Sequence, residues 1–428
     1  MMKSSGLNHN QSQAKEERFP VRRHMDFGLF IVVFLMICFG LVMLFSASMT
    51  EGFASENDPA HFVSKQLIFI AGGFLAAMII ANFIKIRFFD KIWMVILLYG
   101  ATVFLLVAVF FPANPILRGV NLGGATRWVS LMGFRFQPTE VAKFSLVFCF
   151  AGYVSWVERK RDEGSFKRKT AFGQAFFNGF IDIALPGSAI LIWLALIALE
   201  PHISCIVIMS IMIFFLFISA KIKPMSWLTG ALIMILIIAL VVAVFIAVRP
   251  LLPEKLQNYV DYEYVKTRLD IFSDIDSVDK DTSFQTRQSI NAIGSGGIFG
   301  VGFGSSVQKW GYLPMQYNDY VFSIIAEELG LVGALSVLLL FSLYLILGVR
   351  IANRADSIYS MLIAFGYAVF IPVQAFLNIG VATNVVPPTG ITLPFFSYGG
   401  TSSMIFVICV GFLLCVSRSG TTSRRRRI

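Results

Sequence analysis

Ten stretches of this chain are apolar for about twenty residues at a time, the length an α-helix needs to cross the hydrocarbon of a bilayer. They fall at about 27–48, 65–84, 92–111, 139–157, 181–199, 203–220, 227–248, 320–348, 357–380 and 399–417. Inside a bilayer every backbone N–H and C=O must be satisfied within the protein, so such runs become helices. Only 14% of the residues are charged, against about a quarter in soluble domains. The expected fold is an all-α polytopic membrane protein with ten transmembrane helices and a large extracytoplasmic loop between helices 7 and 8. Only Glu200, Pro201 and His202 separate the fifth and sixth runs, which predicts a tight hairpin.

The chain then divides into a tail at 1–26, a membrane domain at 27–417 with its long loop at 249–318, and a basic tail at 418–428. The tail at 1–26 is polar and basic, and no small-residue cleavage site follows the first apolar run, so no cleavable signal peptide is expected. An even number of crossings puts both termini on one side. That side holds 23 of the 35 lysines and arginines, which predicts cytoplasmic termini by the positive-inside rule. The same rule explains the net charge of +10 without nucleic acid. The arginines at 424–427 read equally as a contact for anionic lipid or a cytoplasmic partner and as a disordered anchor. All five cysteines sit in apolar runs without metal-ligand spacing and read as small core hydrophobes.

Three segments on the opposite side are more than turns. Segment 112–138 contains NLGGATRW at 121–128. Segment 249–318 is rich in aspartate and too long for a plain connector. Segment 381–398 contains NVVPPTGITLPFFS, whose prolines and glycine forbid a continuous helix. It is expected to dip into the membrane where protein or water can satisfy its backbone.

Ionisable residues inside spans are costly and are functional candidates by default. Glu140 and Lys143 lie in QPTEVAK at 137–143, spaced i,i+3 on one helix face. They read either as a packing ion pair or as a polar wall offering Lys143 to an anion. Asp319, at the start of the eighth run, reads either as a helix N-cap or as a general base or anchor for a divalent cation. Glu327 and Glu328 lie roughly 12 Å deeper and read as structural. Arg127 could grip phosphate by two prongs or contact lipid headgroups beside Trp128. The glycine run GSGGIFGVGFG at 294–304 follows no strand, so a nucleotide cradle is rejected. His9, His24, His61 and His202 are isolated, and neither a Ser/His/Asp arrangement nor an HExxH motif occurs.

Taken together, the motifs resemble the SEDS family (shape, elongation, division and sporulation), the FtsW/RodA/SpoVE proteins. The resemblance runs from about residue 26 to 417. It rests on FSAS at 45–48, Lys65-Gln66, GATRW at 124–128, QPTEVAK at 137–143, Glu200-Pro201, the stretch 288–330, QAFLN at 374–378 and LPFFSYGG at 393–400. SVQK at 306–309 and TLPF at 392–395 look more like the division and sporulation branch.

The resemblance implies a peptidoglycan glycosyltransferase that joins lipid II into β-1,4 glycan strands with inversion. It implies partnership with a class B penicillin-binding protein and other division or elongation proteins. The family's essential aspartate falls on Asp319, as base and as anchor for magnesium or manganese. Arg127, Lys143 and Arg287 would steady the departing pyrophosphate. Glu140, Gln308, Lys309, Gln374, Asn378 and Ser397, in the matching motifs, would also contact substrate. Three residues around Asp319 depart from the pattern, as Met315, Tyr317 and Asn318. His202 stands where an aspartate usually pairs with the lysine, so Glu140 is expected to compensate. A lipid flippase and a non-catalytic scaffold are the alternative readings.

Overall fold

The computed structural model describes residues 20–22, 24–111, 117–122, 125–131, 134–200, 202–248, 270, 272–273, 280–419 and 421–423. Every one of the ten apolar runs is helical. In chain order the helices are α1 (Phe27–Glu56), α2 (His61–Phe83), α3 (Ile92–Ala108), α4 (Pro138–Asp162), α5 (Ala171–Leu199), α6 (Ile203–Ser219), α7 (Pro224–Val248), α8 (Lys280–Ser295), α9 (Val321–Ala352), α10 (Ile358–Ala382) and α11 (Gly400–Ser419). Eight of them are long and apolar enough to cross a membrane. α3 and α6 are equally apolar but have 17 residues each, about 26 Å of rise.

Two boundaries differ from expectation for physical reasons. Helix α5 begins ten residues before the apolar run, because a π-helical turn at Phe180–Ala184 joins a more polar first segment to the apolar one. The aspartate in that turn, Asp182, is buried and neutralised by Arg161 from the end of α4. The described residues of segment 112–137 are not helical. The segment forms a three-stranded antiparallel sheet of β2 (Leu117–Leu122), β3 (Ala125–Leu131) and β4 (Phe134–Phe136), an addition to the mostly helical fold. Gly123 and Gly124, Pro201, most of 249–279 and the arginines at 424–427 lie outside the described residues.

The segments flanking the first and last helices meet. Strand β1 (Pro20–Arg22) pairs antiparallel with β5 (Thr421–Ser423), and the Asp26 N–H donates to Ser417 Oγ at 3.0 Å. The N- and C-terminal spans therefore open on the same side.

Helices α9, α10, α4 and α11 form the centre, with α1 and α2 packed around α9 and α11. The non-helical segment between α10 and α11 descends among them. A Cβ on Gly40, midway along α1, would lie 2.2 Å from the Phe395 carbonyl oxygen. The Phe396 ring meets Phe39 of α1 at 5.4 Å and Phe341 of α9 at 6.0 Å. Its backbone is satisfied by the protein. Gln66 of α2 donates to the Ser397 carbonyl and accepts from Gly399 N–H, and Ser397 Oγ accepts from Leu393 N–H.

The glycine run has a structural task at the kink of α9. Gly330 has φ +64 and ψ −159, which breaks the helix there. The break frees the carbonyls of Glu327 and Glu328 and the N–H groups of Leu331 and Val332. The glycine loop takes both rungs. Val301 and Gly302 donate to the Glu327 and Glu328 carbonyls at 3.0 and 3.1 Å, while Leu331 and Val332 donate to the Gly297 and Ile298 carbonyls at 2.9 and 3.2 Å. A Cβ on Gly300, whose φ is +82, would stand 2.1 Å from the Glu328 carbonyl oxygen. Only glycine brings the backbone close enough.

Candidate functional site

Asp319 lies in the turn that leads into α9. The residue at the N-cap position of α9 is Tyr320, which makes no side-chain capping bond. Its N–H donates to the Met315 carbonyl at 3.3 Å, and Met315 itself adopts a positive φ of 54°. The departures around it form this turn: Asn318 N–H also donates to Met315, and Tyr317 packs its ring on Phe62 at 4.5 Å and accepts at its carbonyl from Tyr398 N–H. The half-buried Asp319 carboxylate faces the non-helical segment. A Cβ on Gly390 would lie 3.3 Å from Asp319 Oδ2.

Two amides on α10 tie the backbone of the Asp319 turn to the buried charges of α4. Gln374 and Asn378 are spaced i,i+4, so they share one face about 6 Å apart along the axis. Asn378 Nδ2 donates to the Asp319 and Ile391 carbonyls, each at 2.7 Å. Gln374 Nε2 donates to the next carbonyl, Thr392, at 3.1 Å. Gln374 Oε1 accepts from Lys143 Nζ at 2.7 Å, and Lys143 donates to Glu140 Oε1 at 2.7 Å. Lys143 is 1% exposed and also lies over the Phe370 ring. Glu140 and Lys143 thus form the i,i+3 ion pair that their spacing predicts.

Arg127, on β3, reaches the other end of this polar tract. Its Nε donates to the Glu200 carbonyl at 3.2 Å. Glu200 is the C-cap residue of α5, its backbone N–H donating to the Ile197 carbonyl; its side chain is buried, and neither carboxyl oxygen meets a hydrogen-bond partner among the described residues. Burial pushes its carboxyl up to about 8, with Arg127 pulling the other way. Sequence reasoning missed Glu200 and Thr392 as members of the tract. The Glu-Pro pair was the available signal for the first, and no local signal marks the second.

The remaining candidates lie elsewhere. Arg287, on α8, bonds Ser283 one turn earlier, while Ser289 on the same helix bonds Ser323 and the Ala382 carbonyl. Ser397 holds its own turn. Lys309 is wholly buried against Glu328 at 2.8 Å and also donates to Ser46 Oγ and the Gly304 carbonyl. All three ammonium protons are thereby engaged, so this lysine fastens the loop to α9. Gln308 has its N–H on Glu327 and its Oε1 buried in the same cluster. Glu327 accepts from Ser306 Oγ and Val307 N–H, which gives both glutamates the structural role expected of them.

No three His, Cys, Asp or Glu side chains come together as a cation cage among the described residues. Asp319 fits a divalent cation only as one carboxylate ligand, with phosphate oxygens and water completing the shell.

The chain has known relatives. The chain is 33% identical, over all of its length and 98% of the relative's, to a probable peptidoglycan glycosyltransferase FtsW of Thioalkalivibrio sulfidiphilus. It is 33% identical to the stage V sporulation protein E of Bacillus subtilis, over 92% of this chain and 97% of the relative. A solved chain from a peptidoglycan synthase complex that coordinates polymerization and crosslinking superposes with a TM-score of 0.64 at 26% identity, covering 92% of this chain and 98% of that one. The FtsW, RodA and SpoVE model of cell cycle proteins matches residues 27–422, and the chain belongs to that family.

Proposed function

We propose that this chain is a peptidoglycan glycosyltransferase that polymerises lipid II into β-1,4 glycan strands at the outer face of the cytoplasmic membrane. It works beside a class B penicillin-binding protein that cross-links the product. The observation that carries this reading is the linkage of the Asp319 turn, through Asn378 and Gln374, to the buried Lys143–Glu140 pair. This linkage between the backbone of the Asp319 turn and the buried lysine supports the reading, in a chain one-third identical to a probable glycosyltransferase over its full length.

The acceptor's 4-hydroxyl attacks the anomeric carbon of the donor while the bond to pyrophosphate breaks. Asp319 takes the hydroxyl proton. The pyrophosphate leaves with the electron pair, and its charge is met by Lys143, which has one N–H beyond its two side-chain acceptors, with Arg127 and Arg287 as further cations. A divalent cation held by Asp319 and the phosphates would add Lewis-acid stabilisation. All ten apolar helices cross the membrane with both termini in the cytoplasm. The distribution of lysine and arginine supports this orientation, and the pairing of the segments flanking the first and last helices supports an even number of crossings.

The test uses the full chain co-purified with its penicillin-binding partner carrying an inactivated transpeptidase, supplied with lipid II. Glycan strands are expected from the wild type and none from Asp319→Asn. Full polymerisation by Asp319→Asn overturns the assignment. No strands from either, with the complex intact, would favour the flippase or scaffold reading.

A further inference from the structure

The glycine loop presents a surface that the polymerase reading does not use. Residues 296–308 contain no ionisable side chain, and the one charge that follows, Lys309, is sealed inside against Glu328. Yet Ile298, Phe299, Phe303 and Val307 are each more than half exposed, Phe299 at 81%. An apolar face of this size on a water-exposed loop would be costly.

Its level relative to the bilayer follows from α9. Counting back from Arg350, the helix is free of charge as far as Leu329, about 30 Å of rise and so the depth of the hydrocarbon. The residues of α9 before Leu329 are buried, and the exposed ones begin at Leu331 and Val332. These are the residues whose N–H groups bond the Gly297 and Ile298 carbonyls. The loop tip therefore lies level with the first lipid-facing turn of α9 and continues its surface. Non-helical backbone survives at that depth only when its polar groups are satisfied by protein. The four bonds exchanged with the α9 kink satisfy Gly297, Ile298, Val301 and Gly302, and Gly300 N–H donates to the Gly296 carbonyl within the loop. Trp310 and Tyr312, both exposed, follow the loop in sequence and are residue types that suit the headgroup level.

We propose that 296–312 is a membrane-inserted anchor. Ile298, Phe299 and Phe303 occupy the acyl region of the outer leaflet, and the segment fixes the Asp319 turn at the level of the lipid surface. The occupant is lipid, and a partner protein on the same face is the competing outcome.

Spin labels test this on the full chain in lipid nanodiscs, with the native cysteines replaced. Labels go at Phe299→Cys and Phe303→Cys, with Leu335→Cys as the lipid-facing reference and Lys169→Cys as the water-facing one. Power saturation with oxygen and a nickel chelate should place the two loop labels about 5–10 Å below the headgroups, with the oxygen preference of Leu335. Nickel accessibility equal to that of Lys169 overturns the proposal. So does shielding from both reagents, which would mean that protein covers the face. Should the cysteine replacements fail to fold, a benzophenone side chain at position 299 of the native-cysteine chain should cross-link lipid. Cross-linking only to the co-purified partner overturns the proposal.

Discussion

The side-chain amide of Asn378 donates to the backbone carbonyl of Asp319 at 2.7 Å, and the same nitrogen reaches the Ile391 carbonyl at 2.7 Å. One side chain thus fixes the Asp319 turn relative to the descending segment. Asn378→Ala removes both bonds from a buried site, a loss of about 1–3 kcal/mol. Because misplacing a reacting group by about 1 Å costs roughly a hundredfold in rate, polymerisation should fall far more than thermal stability does. Parallel losses of rate and folded protein would show that Asn378 only supports the fold.

Lys143 and Glu140 separate stability from catalysis through a pair of variants. Lys143→Met leaves a carboxylate buried without its cation and should cost about 3–5 kcal/mol. Adding Glu140→Gln removes that charge and should restore much of the stability. Lipid II polymerisation should stay lost in the double variant, because the cation facing the leaving group is still missing. Recovery of activity with stability would make the pair purely structural.

The i,i+3 spacing of Glu140 and Lys143 made their pairing legible in the sequence, as charge and depth did the structural role of Glu327 and Glu328. The carbonyls received by Gln374 and Asn378 were not legible, because Ile391 and Thr392 lie on a segment whose descent is set by packing against Gly40 and Phe341. The glycine run had the same difficulty: its purpose depends on the Gly330 kink about thirty residues on. Sheet β2–β3–β4 escaped notice because its strands are short and interrupted. Lys309 looked like a substrate contact because nothing local shows that Glu328, nineteen residues away, consumes its charge.

Lys309 and Glu328 therefore make a contrast with the α4 pair. Lys309→Met should destabilise the protein by about 3–5 kcal/mol, and Lys309→Met with Glu328→Gln should recover much of it. Here the rate per folded molecule should recover too, since all three ammonium protons face protein acceptors. A double variant that is stable but inactive would restore Lys309 to the substrate site.

Glu200 carries a pH dependence of defined sign. Its carboxyl is 1% exposed and is pushed from an ordinary 4.5 up to about 8. Between those values the folded chain holds a proton that the unfolded chain has released. The stabilisation is complete below about pH 4.5 and is lost as pH rises towards 8, by at most about 1.4 kcal/mol per pH unit. Glu200→Gln keeps the neutral shape and abolishes the titration. The thermal midpoint of the wild type should thus fall between pH 5 and pH 8 relative to that of Glu200→Gln in the same detergent, with the variant the more stable at the alkaline end. Curves that stay parallel across this range would mean that Glu200 is ionised in the fold, with its charge balanced by Arg127.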